Sequence, residues 1–317
     1  MSNKRVFTSN GRFLTSQNKV LTSAFSARFA GSLRGWWNAD NVTYANTAGT
    51  GTVTIVAGSQ EVVISGGTFS SGNLYDLIGI NTSAGVVYCN ILVWINTTTV
   101  VVNKPMPTSE TGIAYYFPKA ASVLDISGNG NHFTQATDTS RARIKMIRGQ
   151  NGLVFTHSPT TNYTCSTINI GNFSQTADSS FAIVGQRGGV NGSSGIIFFA
   201  MYGGSNNNLN FQVQNTNGAL GGVRSNDAGG AIIYPEEEFY CMYTKGAVDK
   251  KLYKNKIEAS TGAIAVPTIS GTGSLRLGTN SFDYGSKNIQ EILLYNKELS
   301  YDERQLVDDY VGEKYKF

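Results

Sequence analysis

The sequence predicts an all-β protein: an antiparallel β-sandwich with a small barrel-like β module inserted near its start, an extended N-terminal arm and one C-terminal helix. Three observations predict it. Glycine is abundant at 36 and charged residues are only 15% of the 317, the composition of strands joined by tight turns. Short runs rich in Val, Ile, Thr, Tyr and Phe recur from Gly49 onward, divided by Gly and Asn clusters. Only the stretch from Asn288 to Phe317 changes from strand spacing to helical spacing.

Composition narrows the function classes. Aromatic residues at 11% and apolar residues at 40% rule out a disordered chain, and the length supports a substantial core. The net charge of +4 is spread out. Its one basic run, Arg141, Arg143, Lys145 and Arg148, reads as a solvated alternating strand, so no nucleic-acid partner is expected. Cys89, Cys165 and Cys241 are odd in number and match no zinc or CxxC spacing, which makes them buried thiols. His132 and His157 are too few for a histidine-rich metal cluster. No apolar run is long enough for a membrane span. The start, MSNKRVFTSNGRF, lacks the apolar core of a secretory signal, so a role outside a cell implies another exit, such as lysis.

Residues 1–32 form the arm. TSNGRFL from Thr8, TSQNKVL from Thr15 and TSAF from Thr22 repeat with small polar residues where a coiled coil needs apolar ones. Little strands with Asn-Gly turns fit better, ordered by a partner. Residues 33–48 hold the first sandwich strand region. In LRGWWNAD, Trp36 and Trp37 point to opposite faces, one into the core and the other open to core packing or to stacking on sugar.

Residues 49–117 read as a self-contained insert. Its expected core is Val53, Ile55, Val62, Ile64, Phe69, Leu77, Ile78, Ile91, Val93 and Val100, with turns at Gly58-Ser59 and Gly66-Gly67. Residues 118–317 complete the sandwich. Asp125, Ser127, Asn129 and Asn131 alternate with Gly128 and Gly130, and their oxygens suit either a structural turn or a calcium site. The EF-hand order and its distal Glu are missing. A succession of strands follows from Gly152 to Gly285, with exposed loops expected at 156–172, 187–195 and 214–230. In the terminal helix Ser300 and Glu303 stand at capping-box spacing. Asp302 and Glu303 suit its positive end, Lys314 its negative end, and Ile292, Leu294, Leu306 and Tyr310 are expected to face the core.

Two resemblances follow. Gly51 to Phe69, GTVTIVAGSQEVVISGGTF, then YDLI from Tyr75, ILVWI from Ile91 and TTVVV from Thr98, resembles a small β module of phage tail and fibre proteins, with Tyr75 where a Gly is more familiar. Such modules are spacers and connectors. GLVF from Gly152, SFAIVG from Ser180, LYKN from Leu252, LRLG from Leu275 and IQEILLYNKELSYDERQLVDDY from Ile289, with SGNGN and LRGWWNAD upstream, are similar to the concanavalin A-like, laminin-G-like jelly-roll family. That likeness covers residues 33–48 and 118–317.

The resemblances imply a non-enzymatic virion structural protein, a tail, fibre or head-decoration component with an exposed lectin-like domain, assembled in the host cytoplasm. A carbohydrate-binding host-attachment adhesin is the alternative, and a glycan-degrading enzyme a lesser one. The strand pattern Glu-x-Asp-x-x-Glu expected of a glucanase on this scaffold is missing, and Glu236, Glu237 and Glu238 read as a solvated strand start. No GxSxG elbow or P-loop occurs. Expected partners are other virion proteins through the arm, further copies of the chain, and a host-surface glycan, for which Tyr163, Tyr202 and Phe282 are the candidate contacts. No cofactor is expected beyond the calcium left open above.

Overall fold

The computed structural model describes residues 6–7, 13–14, 28–29, 31–156, 162–165, 178–190, 196–203, 207–213, 219–221, 228–232, 237–245, 250–262, 273–278 and 285–317. The arm repeat lies almost wholly outside the described residues. Within the arm, β1 (Val6–Phe7) pairs with β2 (Phe13–Leu14).

The first sandwich strands are β3 (Leu33–Asn38) and β4 (Val42–Ala48), and the insert follows as β5 (Thr52–Ile55), β6 (Glu61–Ser65), β7 (Leu77–Thr82), β8 (Gly85–Asn96), β9 (Thr99–Val102) and β10 (Glu110–Ile113). The chain returns through β11 (Tyr115–Val123), β12 (Phe133–Thr134), β13 (Arg143–Ile147), β14 (Gln150–Phe155) and β15 (Asn162–Cys165). Next come β16 (Ser179–Val190), β17 (Ile196–Gly203), β18 (Asn207–Val213), β19 (Ala219–Gly221), β20 (Ala228–Ile232) and β21 (Glu238–Lys245). The last strands are β22 (Lys250–Lys254), β23 (Ile257–Gly262), β24 (Gly273–Gly278) and β25 (Gly285–Tyr295), before α1 (Tyr301–Tyr315).

Antiparallel pairing arranges these strands as a sandwich. One layer runs β13-β14-β25-β16-β21-β22-β23, with β3 beside the second half of β25. The other runs β4-β11-β12-β15-β24-β17-β18-β19-β20. Between them lie Trp37, Phe155, Phe181, Ile183, Phe239, Ile292 and Leu294 from the first layer, and Val123, Phe133, Tyr163, Leu275 and Leu277 from the second. Alternate residues of each strand point inward, so their partners form the outer faces.

A second core explains the helix. Trp36, Ala182, Val184, Tyr240, Met242, Leu293 and Tyr295 emerge on the outer face of the first layer, and Val307, Tyr310, Val311 and Tyr315 of α1 cover them. Both tryptophans are therefore buried, Trp36 at 3% and Trp37 at 1% exposure, which removes the sugar-stacking alternative. Ser300 caps α1 as expected: its hydroxyl accepts from Glu303 N at 3.3 Å, and Glu303 Oε2 accepts from Ser300 N at 3.1 Å. Leu306 departs from expectation, being exposed, because the buried stripe runs through Val307, Tyr310, Val311 and Lys314.

A third core fills the insert, which closes as a small barrel in the order β10-β5-β6-β9-β8-β7. Closure comes from the chain itself, since β10 pairs with β5 while Tyr115 and Tyr116 at the start of β11 pair with β7. Val53, Ile55, Val62, Ile64, Phe69, Ile78, Ile91 and Val100 all point into it. Two expected members do not. Leu77 belongs to the sandwich core, and Val93 is exposed, because β8 carries a register shift between Ile91 and Val93 that turns the side chain outward.

Of the expected loops, 156–172 contains β15 and 214–230 contains β19 and part of β20, while β16 runs on to Val190. Apart from Thr156, the remainder of these stretches lies outside the described residues. Among the described residues no helix is long and apolar enough to cross a membrane.

Candidate functional site

Three places collect polar chemistry: the SGNGN loop, the sheet beneath α1, and the seam between barrel and sandwich.

The SGNGN loop is a structural turn. Asp125 Oδ1 accepts from the backbone N–H of Trp36 at 3.0 Å and of Ser127 at 2.9 Å, and Oδ2 accepts from Asn131 N at 2.9 Å. Asn129 and Asn131 donate their amides to the carbonyls of Leu33 and Arg34, at 2.8 and 2.7 Å. These bonds fasten the loop onto β3. Gly128 and Gly130 take φ of 90° and 72°, which the tight course requires. Among the described residues no group of three or more His, Cys, Asp or Glu side chains is placed to hold a metal ion.

The sheet beneath α1 holds a buried acid. Glu291, a polar residue within the last strand, is only 1% exposed. Trp36 Nε1 donates to its Oε1, as does Tyr310 OH at 2.6 Å. Its Oε2 accepts from Tyr315 OH at 2.6 Å and Lys314 Nζ at 2.9 Å. Burial, reinforced by the Glu291 charge, pushes the Tyr310 and Tyr315 phenols far up, so both remain donors. A second link joins the same helix to β21, where Tyr240 OH donates to Asp308 Oδ1 at 2.8 Å. Arg304 covers the Tyr253 ring at 4.4 Å.

At the seam, the basic run is structural as well. Asp76 is 3% exposed, with Arg143 Nη1 at 3.4 Å from Oδ2 and Lys145 Nζ at 3.5 Å from Oδ1. Lys145 also donates to Gly72 O and Leu74 O, at 3.0 and 3.1 Å. Burial raises the Asp76 carboxyl, and the attraction of Arg143 and Lys145 does not cancel it. Arg141 pairs with Asp138 at 3.3 Å, and Arg148 Nε with Glu238 at 2.5 Å. The alternation is as expected, with Arg143 exposed between buried Ala142 and Ile144 and Arg148 exposed as well, and each cation also meets an acid from another element or turn. Glu238 is buried, contrary to a solvated strand start. Glu237 pairs with Lys254 at 2.6 Å, and Glu236 lies outside the described residues.

The candidate ligand contacts do not come together. Tyr163 is fully buried, donating its hydroxyl to Ala120 O at 2.5 Å and accepting from Ala142 N at 2.8 Å, so it is a core residue. Tyr202 lies on β17, within a stretch whose side chains are outside the description, and Phe282 lies outside the described residues altogether. The three cysteines are buried free thiols. Burial pushes Cys89 up to about 12.

Two surface features were not anticipated. Tyr44 of β4, 36% exposed, packs on Tyr88 of β8 with ring centroids 4.5 Å apart, and Asn46 Nδ2 reaches Tyr88 OH at 3.4 Å. A cavity of about 510 Å³ opens between the turns Gly49-Thr50 and Gly66-Thr68 and the rings of Tyr115 and Phe117. Alternation along β4 placed Tyr44 and Asn46 on one face, but only the pairing of β7, β8 and β11 brings Tyr88 beside them.

No protein-family model matches this sequence, and no curated protein does. Solved structures do resemble it. The binding domain of Paraclostridial Mosquitocidal Protein 1 is similar over 60% of this chain and 49% of its own, at 14% identity and a TM-score of 0.45. The botulinum neurotoxin serotype G binding domain is similar over 60% and 48%, at 12% identity and a TM-score of 0.46. A GH54 α-L-arabinofuranosidase mutant soaked with a nitrophenyl arabinofuranoside covers 86% and 63%, at 13% identity and a TM-score of 0.49. The chain spans about half the length of the toxin binding domains. At these depths none of the likenesses bears on what this chain binds.

Proposed function

We propose that the chain is a non-enzymatic structural protein of a phage virion, a tail, fibre or head-decoration component that displays a lectin-like sandwich. The observation that carries this reading is the use of the buried acids. Glu291, Asp76, Asp125, Glu238 and Asp308 each hold two parts of the fold together, so buried charge maintains shape. The likeness of Gly51 to Val102 to phage spacer modules supports the virion placement. In this reading the barrel spaces or packs, the arm joins other virion proteins or further copies, and assembly takes place in the host cytoplasm.

A cryo-EM map of the native particle tests the placement, and a particle without density for this chain refutes it. Release of reducing ends from a polysaccharide by the purified chain refutes the non-enzymatic part.

A second reading, a carbohydrate-binding adhesin, is favoured by the Tyr44 and Tyr88 rings at the surface beside the Asn46 amide. An exposed ring, Tyr44, stacked on the half-buried Tyr88 with an adjacent amide, matches the mixed apolar and hydroxylated surface of a sugar. A glycan array probed with the full chain tests it, and an array without any bound glycan refutes it.

A further inference from the structure

We infer that the cavity at the barrel seam is a binding site for a neutral saccharide residue, an inference that rests on the carbohydrate-binding reading above. The site is made by the insert and lies apart from the inter-sheet core of the sandwich.

Its volume, about 510 Å³, is in the range of small-molecule sites, roughly 300–1,000 Å³. Its lining selects the ligand class. Among the described residues that line it there is no carboxylate, ammonium, guanidinium or imidazole, so a charged ligand would find no counter-charge. What the lining offers is one aromatic wall, a glycine turn and two threonine hydroxyls. Phe117 is half-buried and meets Tyr115 edge-on, with centroids 5.7 Å apart. Tyr115 donates its hydroxyl to Thr50 O at 3.1 Å, which fixes the floor. Gly66 leaves its peptide group uncovered by side chains, and Thr50 and Thr68 add hydroxyls at the exposed rim. An apolar ring face set against hydroxyl-binding groups without charge is the complement of a pyranose, which has C–H faces and an equatorial belt of hydroxyls.

The turns are held in one shape by close packing, so the cavity exists before a ligand arrives. A Cβ on Gly49 would lie 2.1 Å from the Tyr115 ring, and one on Gly67 would lie 1.9 Å from Thr50 O. Neither turn can carry a larger residue at these points without moving its neighbour. A preformed site loses little ordering entropy on binding.

The test is titration of the full chain with glucose, galactose, mannose and N-acetylglucosamine oligosaccharides up to about 10 mM, the range of weak sites, read by saturation-transfer NMR and calorimetry. Thr68→Trp fills the cavity from an exposed position, and Phe117→Ala removes the wall. Leu306→Ala, at an exposed position on α1, serves as the comparison. At least one sugar should bind, and Thr68→Trp should weaken it by about tenfold or more, with Leu306→Ala leaving binding unchanged. Since Phe117 also packs on the barrel core, a Phe117→Ala chain that fails to fold leaves Thr68→Trp to decide. Binding that survives Thr68→Trp overturns the cavity and leaves the carbohydrate-binding reading standing. No binding by any of these sugars overturns the cavity, and with an empty glycan array both fail.

Discussion

Removing the Glu291 carboxylate tests what holds α1 to the sandwich. Glu291→Ala leaves Lys314, 7% exposed in its side chain, without its counter-ion, and leaves Trp36, Tyr310 and Tyr315 without their acceptor. Breaking a buried ion pair costs about 3–5 kcal/mol, and each buried donor left alone costs about 1–3 kcal/mol. These four donors share one acceptor and do not add, so about 5 kcal/mol is the working figure for the whole. At roughly 2.1 cal/mol/K per residue, 317 residues give about 1.5 °C per kcal/mol. The melting midpoint should therefore fall by about 7 °C.

Near-ultraviolet circular dichroism follows the melt, and amide exchange over residues 301–315 should rise with it. Glu291→Ala with Lys314→Met should recover part of the loss, because the second change removes the stranded charge. A midpoint shift under about 2 °C would refute the reasoning, as would a double variant destabilised by the sum of the two single changes.

Asp76 should behave in the opposite way. Its folded pKa is raised by burial, so the folded state binds its proton more readily than the unfolded chain. Stability from this group is therefore gained as pH falls from neutral into the window between the ordinary and raised values, and lost as pH rises through it. Asp76→Asn loses pairs whose cations are partly exposed, so it should cost about 1 kcal/mol at pH 7 and remove the gain on acidification, as read by urea melts stepped downward from pH 7; an undiminished gain in the variant would contradict it. Gly35→Ala places a Cβ 1.8 Å from the Trp37 ring and should cost about 3 kcal/mol or more, lowering soluble yield and melting midpoint; a native-like melt would show that the ring can move. The buried thiols, with Cys89 raised to about 12, should resist a disulfide reagent at pH 8 in the native state and react in urea. Fast native labelling of Cys89 would refute its burial.

Local signals were enough for much of the architecture. Ser300 and Glu303 sit three apart in any conformation, so the cap of α1 was legible without knowing what the helix covers. Period-two alternation likewise revealed Val53, Ile55, Val62 and Ile64 as one face, since a strand has only two faces to offer. The alternation failed at Val93, where a register shift changes which face a residue occupies and leaves no mark in a short apolar run.

The polar residues were the least legible, because their burial depends on groups far away in the chain. Glu291 is one polar residue of a strand until Tyr310, Lys314 and Tyr315 arrive from the helix and Trp36 from a strand 255 residues earlier. The basic run reads as solvated, as Arg143 and Arg148 are, but its ion pairs with Asp76 and Glu238 form only where the fold brings those acids to it. The Gly49 and Gly66 turns announce only turns, and the cavity between them exists because β10 and β11 close the barrel. The sequence by itself determined the strands, the turns, the terminal helix and the all-β class, since these follow from backbone preference and the spacing of apolar residues. Tertiary structure alone decided which polar groups are buried and which turns face one another, because desolvation and long-range pairing act between residues that the chain keeps far apart.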